Sequence, residues 1–131
     1  MSGYRSLACP AVSGKFLRVN GQRFLIKGVS YGTFAPDAEG AQFPHISRVA
    51  QDFDAIAELE ANTVRTYTVP PMAVLDEAAR RGLRLIVGVP WMQHVAFLDR
   101  QADERENRRA TREQVRRLAG HPGAMLFSLG N

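Results

Sequence analysis

The sequence predicts an α/β protein in which parallel strands alternate with helices, and three observations support this. Short apolar or β-branched runs recur at residues 27–32, 63–69, 83–89 and 124–129. The segments between the first three runs carry apolar residues at helical spacing, so each strand leads through a helix into the next parallel strand by a right-handed crossover. An Asn-Gly pair at 20–21 adds a β-hairpin ahead of the first core strand.

The hairpin prediction depends on two apolar-rich runs, 15–19 and 22–26, on either side of the Asn-Gly pair. A type I′ turn needs positive φ at both central residues, and asparagine and glycine adopt that conformation readily. Residues 1–14 show no clear period and are predicted to be a lead-in without regular structure. The hairpin should therefore enter the first core strand directly.

Three helices are predicted between the core strands. The first, over 47–62, has Ser47 as its expected N-cap. The second starts at the prolines at 70–71, because proline suits the first helical turn, and Gly82 is its expected C-cap. The third runs roughly over 104–119.

The third predicted helix is rich in arginine, which raises the question of an anionic partner. Its arginines are Arg105, Arg108, Arg109, Arg112, Arg116 and Arg117. A nucleic-acid surface would interleave such residues with aromatic side chains on which bases stack, and none occur here. Glutamates on the same helix offset part of the charge. We interpret the arginines as the solvent face of an amphipathic helix and expect no nucleic-acid partner.

Composition narrows the class of protein. The 131 residues are enough for one domain or part of a larger one, and the formal charge of +4 permits an acidic partner without requiring one. Cys9 is the single cysteine, which favours a reducing compartment. The start of the sequence lacks the apolar core of a signal peptide, and no run is long enough to cross a bilayer, so a cytoplasmic location is expected. Phosphate-loop, CxxC and HExxH motifs are missing, so neither a cofactor nor a metal is expected.

The most informative stretch lies at the end of the sequence. Residues 124–129 form an apolar run typical of a strand buried on both faces. His121 and Pro122 precede this run, and Gly130 and Asn131 follow it. Residues that follow such a strand lie at the carboxyl edge of the sheet, where α/β enzymes place their chemistry.

This stretch resembles a motif of glycoside hydrolases. The fourth-strand motif of the large retaining (β/α)8 clan is similar to the order found here, which is His-Pro, an apolar strand and then Ser-Leu-Gly-Asn at 128–131. The similarity is greatest to family two, the β-galactosidase and β-glucuronidase family. Residues 20–29, 62–66 and 75–83 resemble, in order, the family's entry to the first strand, its second strand, and the helix and strand that follow. Residues 30–32 differ from the Asn and His that the family often carries there.

The resemblance implies a fold and a function. The fold would be α/β, half of a (β/α)8 TIM barrel with four parallel strands and their helices, preceded by a β-hairpin. Residues 1–14 would be the lead-in and 15–131 the first half of the domain, truncated after the fourth strand, since a whole barrel takes about 250 residues. The chain would be a fragment of a carbohydrate-active enzyme that hydrolyses O-glycosyl bonds. Its partners would be a carbohydrate substrate and either the remaining half of the barrel or a second copy of the chain.

The resemblance also assigns site residues. Retaining hydrolysis uses two carboxylates, one as nucleophile and one as general acid/base. In the family the acid/base follows the residue that matches Asn131, and the nucleophile ends a later strand, so no catalytic residue is expected within the chain and the fragment alone should be inactive. Arg65 would support the nucleophile, and Asn131 would bind the sugar 2-hydroxyl. His94, Trp91 and Tyr31 are the remaining candidates for substrate-binding or supporting positions.

Alternatives remain open on the sequence alone. The chain could be a non-catalytic half-barrel that binds sugar or self-associates, or a small doubly wound binding domain. Arg65 could reach solvent at a strand end, and Asn131 could be a turn residue. A barrel segment requires four strands in sequential order, whereas a doubly wound domain reorders them. A glutamate after Asn131 in the gene would favour the enzyme.

Overall fold

Two β-sheets and three α-helices form the part of the chain that the computed structural model describes, residues 7–90 and 101–129, with backbone alone for 101–103. The elements in chain order are β1 (Ala11–Ser13), β2 (Phe16–Val19), β3 (Gln22–Phe24), β4 (Gly28–Tyr31), α1 (Ile46–Glu58), β5 (Thr63–Thr66), α2 (Met72–Arg80), β6 (Arg84–Val89), α3 (Gln101–Leu118) and β7 (Ala124–Leu129).

The first sheet is antiparallel, in the order β1-β2-β3. Asn20 and Gly21 have φ values of 50° and 78°, which confirms the predicted turn with two positive φ angles. The prediction of an irregular lead-in is wrong for Ala11–Ser13, which pairs with β2. This strand is exposed along its whole length and held by backbone hydrogen bonds, so its side chains show no burial pattern from which it could be predicted.

The second sheet is parallel, in the order β4-β5-β6-β7. This sequential order is the one predicted, and it differs from the reordered strands of a doubly wound domain. The register aligns Ser30, Arg65, Ile86 and Leu126 in one row across the sheet. Because partners in register point to the same side, these side chains share one face.

The hydrophobic core lies on the opposite face, between the sheet and the helices. Val64 of β5 and Leu85 of β6 are fully buried there. Each helix contributes a fully buried side chain to the same cluster, Phe53 from α1, Leu75 from α2 and Leu118 from α3. Burial of each such side chain contributes about 1.5–3 kcal/mol. The three helices therefore pack on a single face of the parallel sheet.

Several predicted boundaries differ from the structure. The expected N-cap at Ser47 is wrong, because the cap is His45, whose Nδ1 accepts a hydrogen bond from the Ser47 backbone N–H. An imidazole nitrogen can thus replace the hydroxyl that was expected. Helix α1 ends at Glu58, and β5 ends at Thr66. The C-cap of α2 is Arg81, one residue before the predicted Gly82, and Gly82 takes the positive φ of 73° that ends the helix.

The arginines of α3 lie on its solvent-exposed surface, as interpreted from the sequence. Arg108 pairs with Glu104 and Arg109 with Glu106, at helical spacings. Surface pairs of this kind contribute about 0–1 kcal/mol each, so they keep the helix soluble more than they fix its position. Within the described ranges, no helix combines the length and the apolar character needed to span a membrane.

Candidate functional site

The candidate site is the face of the parallel sheet that the helices do not cover, here called the Arg65 face. Its members are Ser30, Arg65, Ile86, Gly88, Leu126 and Ser128. Leu126 keeps 37% of its surface exposed, although it belongs to a parallel strand. Parallel sheets are normally covered on both faces. The Arg65 face is therefore the surface on which a ligand or another part of a protein would lie.

Arg65 lies on this face, one residue before the end of β5, whereas Arg84, two residues before Ile86, lies on the same face at its amino end. Its guanidinium carbon lies 4.9 Å from the centroid of the Tyr67 ring. A cation within about 6 Å of an aromatic ring is attracted by the ring quadrupole. Because side chains two residues apart in an extended chain point the same way, Arg65 and Tyr67 lie together at the carboxyl edge of the sheet.

Tyr67 is the site residue that the sequence interpretation missed, and two glycines adjoin it. A Cβ on Gly88 would lie 2.4 Å from the Thr66 carbonyl oxygen and 2.7 Å from the Tyr67 carbonyl oxygen. A Cβ on Gly32 would lie 3.4 Å from Cδ2 of the Tyr67 ring. Strands β5 and β6 thus approach closely only because residue 88 has no side chain. The signal in the sequence was an arginine and a tyrosine two positions apart within a predicted strand.

Tyr31 lies on the opposite side of the sheet and is not brought together with Arg65. It is 8% exposed, and its hydroxyl donates a 2.6 Å hydrogen bond to Asp52 Oδ2 on α1. Its ring packs against Phe34 and Phe53, with centroids 4.9 and 5.3 Å away. Burial, together with the neighbouring Asp52 carboxylate, raises the pKa of Tyr31. The hydroxyl of Tyr31 is engaged by α1, and the substrate-binding or supporting role of Tyr31 stays a prediction.

Asn62 fixes the three-stranded sheet to the amino edge of the parallel sheet. Its Nδ2 donates to the Leu25 carbonyl, and its Oδ1 accepts from the Lys27 backbone N–H, both at 2.8 Å. The Thr63 hydroxyl donates to the same Oδ1, also at 2.8 Å. The asparagine of the Asn-Thr-Val-Arg stretch therefore positions the chain where it enters β4.

Arg84 forms a second link at this edge. It is 7% exposed, its Nη2 donates to the Ala8 carbonyl at 2.9 Å, and its guanidinium carbon lies 5.0 Å from the Phe24 ring centroid. Burial lowers the pKa of Arg84, and its buried Nε has no hydrogen-bond partner among the described residues. Arg84 is thus a structural contact between β6 and the amino-terminal residues, at the end of the sheet opposite to the candidate site.

His121 of the His-Pro stretch links α2 to the start of β7. Its Nδ1 accepts the Gly123 backbone N–H at 2.9 Å, and its Nε2 lies 2.8 Å from Asp76 Oδ1. Since Nδ1 accepts, the ring proton is on Nε2 and is donated to Asp76. A Cβ on Gly123 would lie 2.8 Å from the Leu75 carbonyl oxygen, so the chain requires glycine there. The His-Pro-Gly sequence thus has a structural explanation in the contacts that hold the turn before β7.

The loops that follow β4 and β5 meet at the carboxyl edge and form a cleft of about 500 Å³. Gln42 and Phe43 line it from the first loop, and Thr68 and Val69 line it from the second. Loops at the carboxyl ends of parallel strands are where barrel enzymes bind their substrates. This cleft and the Arg65 face are both open at that edge.

Three predicted site residues, Trp91, His94 and Asn131, lie outside the described residues, so their roles stay predictions. Among the residues whose placement is described, no three histidine, cysteine, aspartate or glutamate side chains are grouped so that they could hold a metal ion. The site that the structure describes therefore consists of Arg65 and Tyr67, with the glycines and apolar residues around them.

Comparison with known proteins shows which solved structures share this fold. No protein-family model and no curated protein sequence matches the chain. A GH2 β-galacturonidase from Eisenbergiella tayi, bound to galacturonate, has a TM-score of 0.73 and 19% identity, over 94% of this chain and 22% of that one. A β-glucuronidase from Bifidobacterium dentium, in complex with coumarin-3-O-glucuronide, has a TM-score of 0.73 and 23% identity, over 94% and 20%. A glycosyl hydrolase family 2 member from Bacteroides cellulosilyticus has a TM-score of 0.72 and 20% identity, over 94% and 16%.

The chain thus spans between 16% and 22% of the length of these three solved structures. At 19–23% identity the similarity concerns the fold. The family of these three structures is nevertheless the one that residues 20–29, 62–66 and 128–131 resemble in the sequence. The chain has the fold of one part of the family-two glycoside hydrolases, which confirms the resemblance.

Proposed function

We propose that the chain forms the amino-terminal half of the (β/α)8 domain of a retaining glycoside hydrolase. Within that domain it supplies groups that support the nucleophile and bind the sugar, while both catalytic carboxylates come from outside the 131 residues. The observation that carries the proposal is the parallel sheet in sequential order, with Arg65 at the carboxyl end of its second strand.

The placement of the helices supports a barrel segment over a doubly wound sheet. Buried side chains of α1, α2 and α3 belong to one cluster, on the same side of the sheet. A doubly wound domain carries helices on both faces, whereas a barrel carries them only on the outside. The Arg65 face then corresponds to the barrel interior, and the remaining strands would complete its packing.

The chemistry of Arg65 supports a carboxylate as its partner in that interior. Its partners in register across the sheet are Ser30 of β4 and the apolar Ile86 of β6, and the apolar Leu126 of β7 follows in the same row. A carboxylate is the group that an arginine binds with charge-assisted, bidentate hydrogen bonds. By resemblance this carboxylate is the nucleophile. Asn131 would bind the sugar 2-hydroxyl, and Trp91 and His94 would line the sugar site.

The substrate class follows from the same proposal. Retaining enzymes of this kind cleave the bond between a sugar and its leaving group through two carboxylates about 5–5.5 Å apart. The solved structures with this fold include a β-glucuronidase in complex with a glucuronide and a β-galacturonidase bound to galacturonate. We propose a β-linked glycoside as substrate and include uronic acid and neutral sugars in the test.

The test is hydrolysis of a panel of aryl β-glycosides by a chain that continues beyond Asn131 through four further strands. We expect turnover of at least one substrate, and Arg65→Ala should lower kcat by about 100-fold or more, as for the loss of a donor that stabilises a transition state. Arg105→Ala, a change on the exposed surface of α3, is the matched control and should leave kcat unchanged.

Absence of turnover on the whole panel, or equal kcat for Arg65→Ala and the control, would overturn the proposal. Sugar binding without turnover would instead indicate the non-catalytic half-barrel. To tell sugar binding without turnover from no binding at all, the same chain is titrated with the free sugars. Binding is followed as a shift of the Arg65 and Tyr67 NMR signals.

A further inference from the structure

An open groove between α3 and β7, here called the α3–β7 groove, leads to a further inference, which rests on the proposed function and deepens it. The groove has a volume of about 480 Å³, and the residues that line it are Thr111, Arg112, Val115, Arg116, Phe127 and Leu129. We propose that it binds an amphipathic helix with acidic residues beside its apolar stripe. In the longer protein, that helix comes from the part of the barrel that follows β7.

The floor of the groove is apolar and incompletely covered. Leu129 lies in register with Val89 of β6, so both side chains point to the side of the sheet on which the helices pack. Val89 is 1% exposed, whereas Leu129 is 61% exposed. Phe127, two residues earlier on the same side, is partly buried against the core. Packed interiors hold few gaps larger than a water molecule, so a groove of this size is an open surface and not a packing defect.

The rim of the groove is positively charged. Arg112 and Arg116 lie one helical turn apart on α3, where two like charges repel each other. Neither forms an ion pair with another residue that the structure describes, whereas Arg108 of the same helix pairs with Glu104. Glu113, the acidic residue nearest to both in the sequence, is not part of the lining. Carboxylates on a bound partner would offset the repulsion and pair with both arginines.

The fold indicates that this partner is a helix. Helices α1, α2 and α3 each follow a strand of the parallel sheet and pack on the same side of it. In a (β/α)8 domain every strand is followed by a helix of the outer ring, so the helix after β7 would lie beside α3, over the groove. A helix bound in a groove places apolar side chains at i, i+3 and i+4 on the floor and polar side chains at the borders.

The two properties of the groove together define the partner. A small anion would pair with Arg112 and Arg116 but would leave Phe127 and Leu129 uncovered. A neutral apolar helix would cover the floor and leave the two arginines without a counter-charge. An acidic amphipathic helix meets both requirements, because leucines on its stripe reach the floor while carboxylates beside the stripe reach the rim.

The test is the binding of two model peptides to the 131-residue chain. Both are alanine-based helices of about 18 residues with a stripe of leucines, long enough to be helical in water. One carries glutamates beside the stripe, and the other carries lysines at the same positions. Binding is followed by the NMR signals of Val115, Phe127 and Leu129, with peptide added up to millimolar concentration.

We expect the glutamate peptide to bind about tenfold or more tightly than the lysine peptide, with a difference that decreases as salt is added. Arg112→Glu combined with Arg116→Glu should reverse this preference. Arg105→Glu combined with Arg109→Glu, which makes the same charge change elsewhere on α3, is the matched control and should keep it.

The apolar floor is tested by a second pair of variants. Leu129→Ser should weaken binding of the glutamate peptide by about tenfold, because an apolar side chain that the peptide would cover is lost. Val12→Ser, at an exposed valine of β1, is its control and should bind as the wild type does. Thermal unfolding of each variant shows that the fold is kept.

Equal affinity for the two peptides, or a preference that the change at Arg112 and Arg116 leaves as it was, would overturn the proposal. Absence of binding by the glutamate peptide at millimolar concentration would also reject it. Self-association that is lost in Leu129→Ser and in the double charge variant would show that a second copy of the chain occupies the groove instead. Hydrolysis by the longer chain tests the proposed function separately: an active longer chain without peptide binding rejects this inference alone, and peptide binding with an inactive longer chain rejects the proposed function alone.

Discussion

Replacing Asn62 with alanine should loosen the three-stranded sheet from the parallel sheet. The side chain makes three hydrogen bonds of 2.8 Å, to the Leu25 carbonyl, the Lys27 backbone N–H and the Thr63 hydroxyl. The first two bonds join Leu25 and Lys27, between β3 and β4, to Asn62, the residue just before β5. The third holds the Asn62 side chain against the first residue of β5. Alanine makes none of them, so the chain entering β4 loses its attachment at this point.

The magnitude follows from the surroundings of each bond. The bonds to Leu25 and Lys27 are exposed, so water replaces the lost partner and each contributes about 0.5 kcal/mol, at the low end for hydrogen bonds. The bond from the Thr63 hydroxyl is partly buried and contributes about 1 kcal/mol. The free energy of unfolding should therefore fall by about 2 kcal/mol, or about 8 °C in Tm for a domain of this size.

Urea unfolding followed by circular dichroism measures this change. Thr63→Val removes only the hydroxyl that donates to Asn62 Oδ1, so its loss should be smaller than that of Asn62→Ala. Gln51→Ala, an exposed change on α1, is the control and should lie within about 0.5 kcal/mol of the wild type. A stability of Asn62→Ala equal to that of the control would refute the reasoning.

Three further predictions concern packing, pH and association. Gly88→Ala should destabilise the chain by about 2 kcal/mol or more in urea unfolding, because its Cβ would lie 2.4 Å from the Thr66 carbonyl oxygen; a wild-type midpoint would show that β5 and β6 are not so close. The raised pKa of Tyr31 keeps its proton on in the folded state while the unfolded state loses it from about pH 10, so stability should be complete below that pH and fall above it. Tyr31→Phe should remove this alkaline decline, and an identical pH profile would contradict the assignment. The chain alone should self-associate, because β4 and β7 end the described sheet and Leu129 is 61% exposed; a stable monomer in light scattering at several concentrations would contradict this.

The parallel sheet could be predicted from the sequence because its signals are local. The apolar runs at β4 to β7 and the Asn-Gly turn each specify their own structure, and the alternation of strands and helices specifies the parallel order. Ala11–Ser13 could not be predicted, since its pairing depends on β2 and not on its own exposed side chains. Helix α1 ends at Glu58, before the predicted end near residue 62, and Glu60 then takes a φ of 60°, which a helix cannot continue through.

The candidate site was predictable only in part. Arg65 stands out as a charge inside an apolar run, so it could be named as a candidate from residue type, and its place at the carboxyl end of β5 agrees with the predicted strand. The position of Tyr31 depends on which face its side chain takes and on a hydrogen bond to Asp52, 21 residues away in the sequence. The contact between Tyr67 and Arg65 depends on which face their side chains take. The space around Tyr67 depends on the close approach of Gly88, which is set by strand register.

The configuration of the first sugar released tests the central claim most directly. The measurement is proton NMR of the anomeric signal in the first minutes of hydrolysis of an aryl β-glycoside by a chain that continues beyond Asn131. A retaining mechanism through a covalent intermediate predicts that the β anomer appears first and the α anomer only later, by mutarotation. Release of the α anomer first, or no hydrolysis of any β-glycoside, would contradict the account.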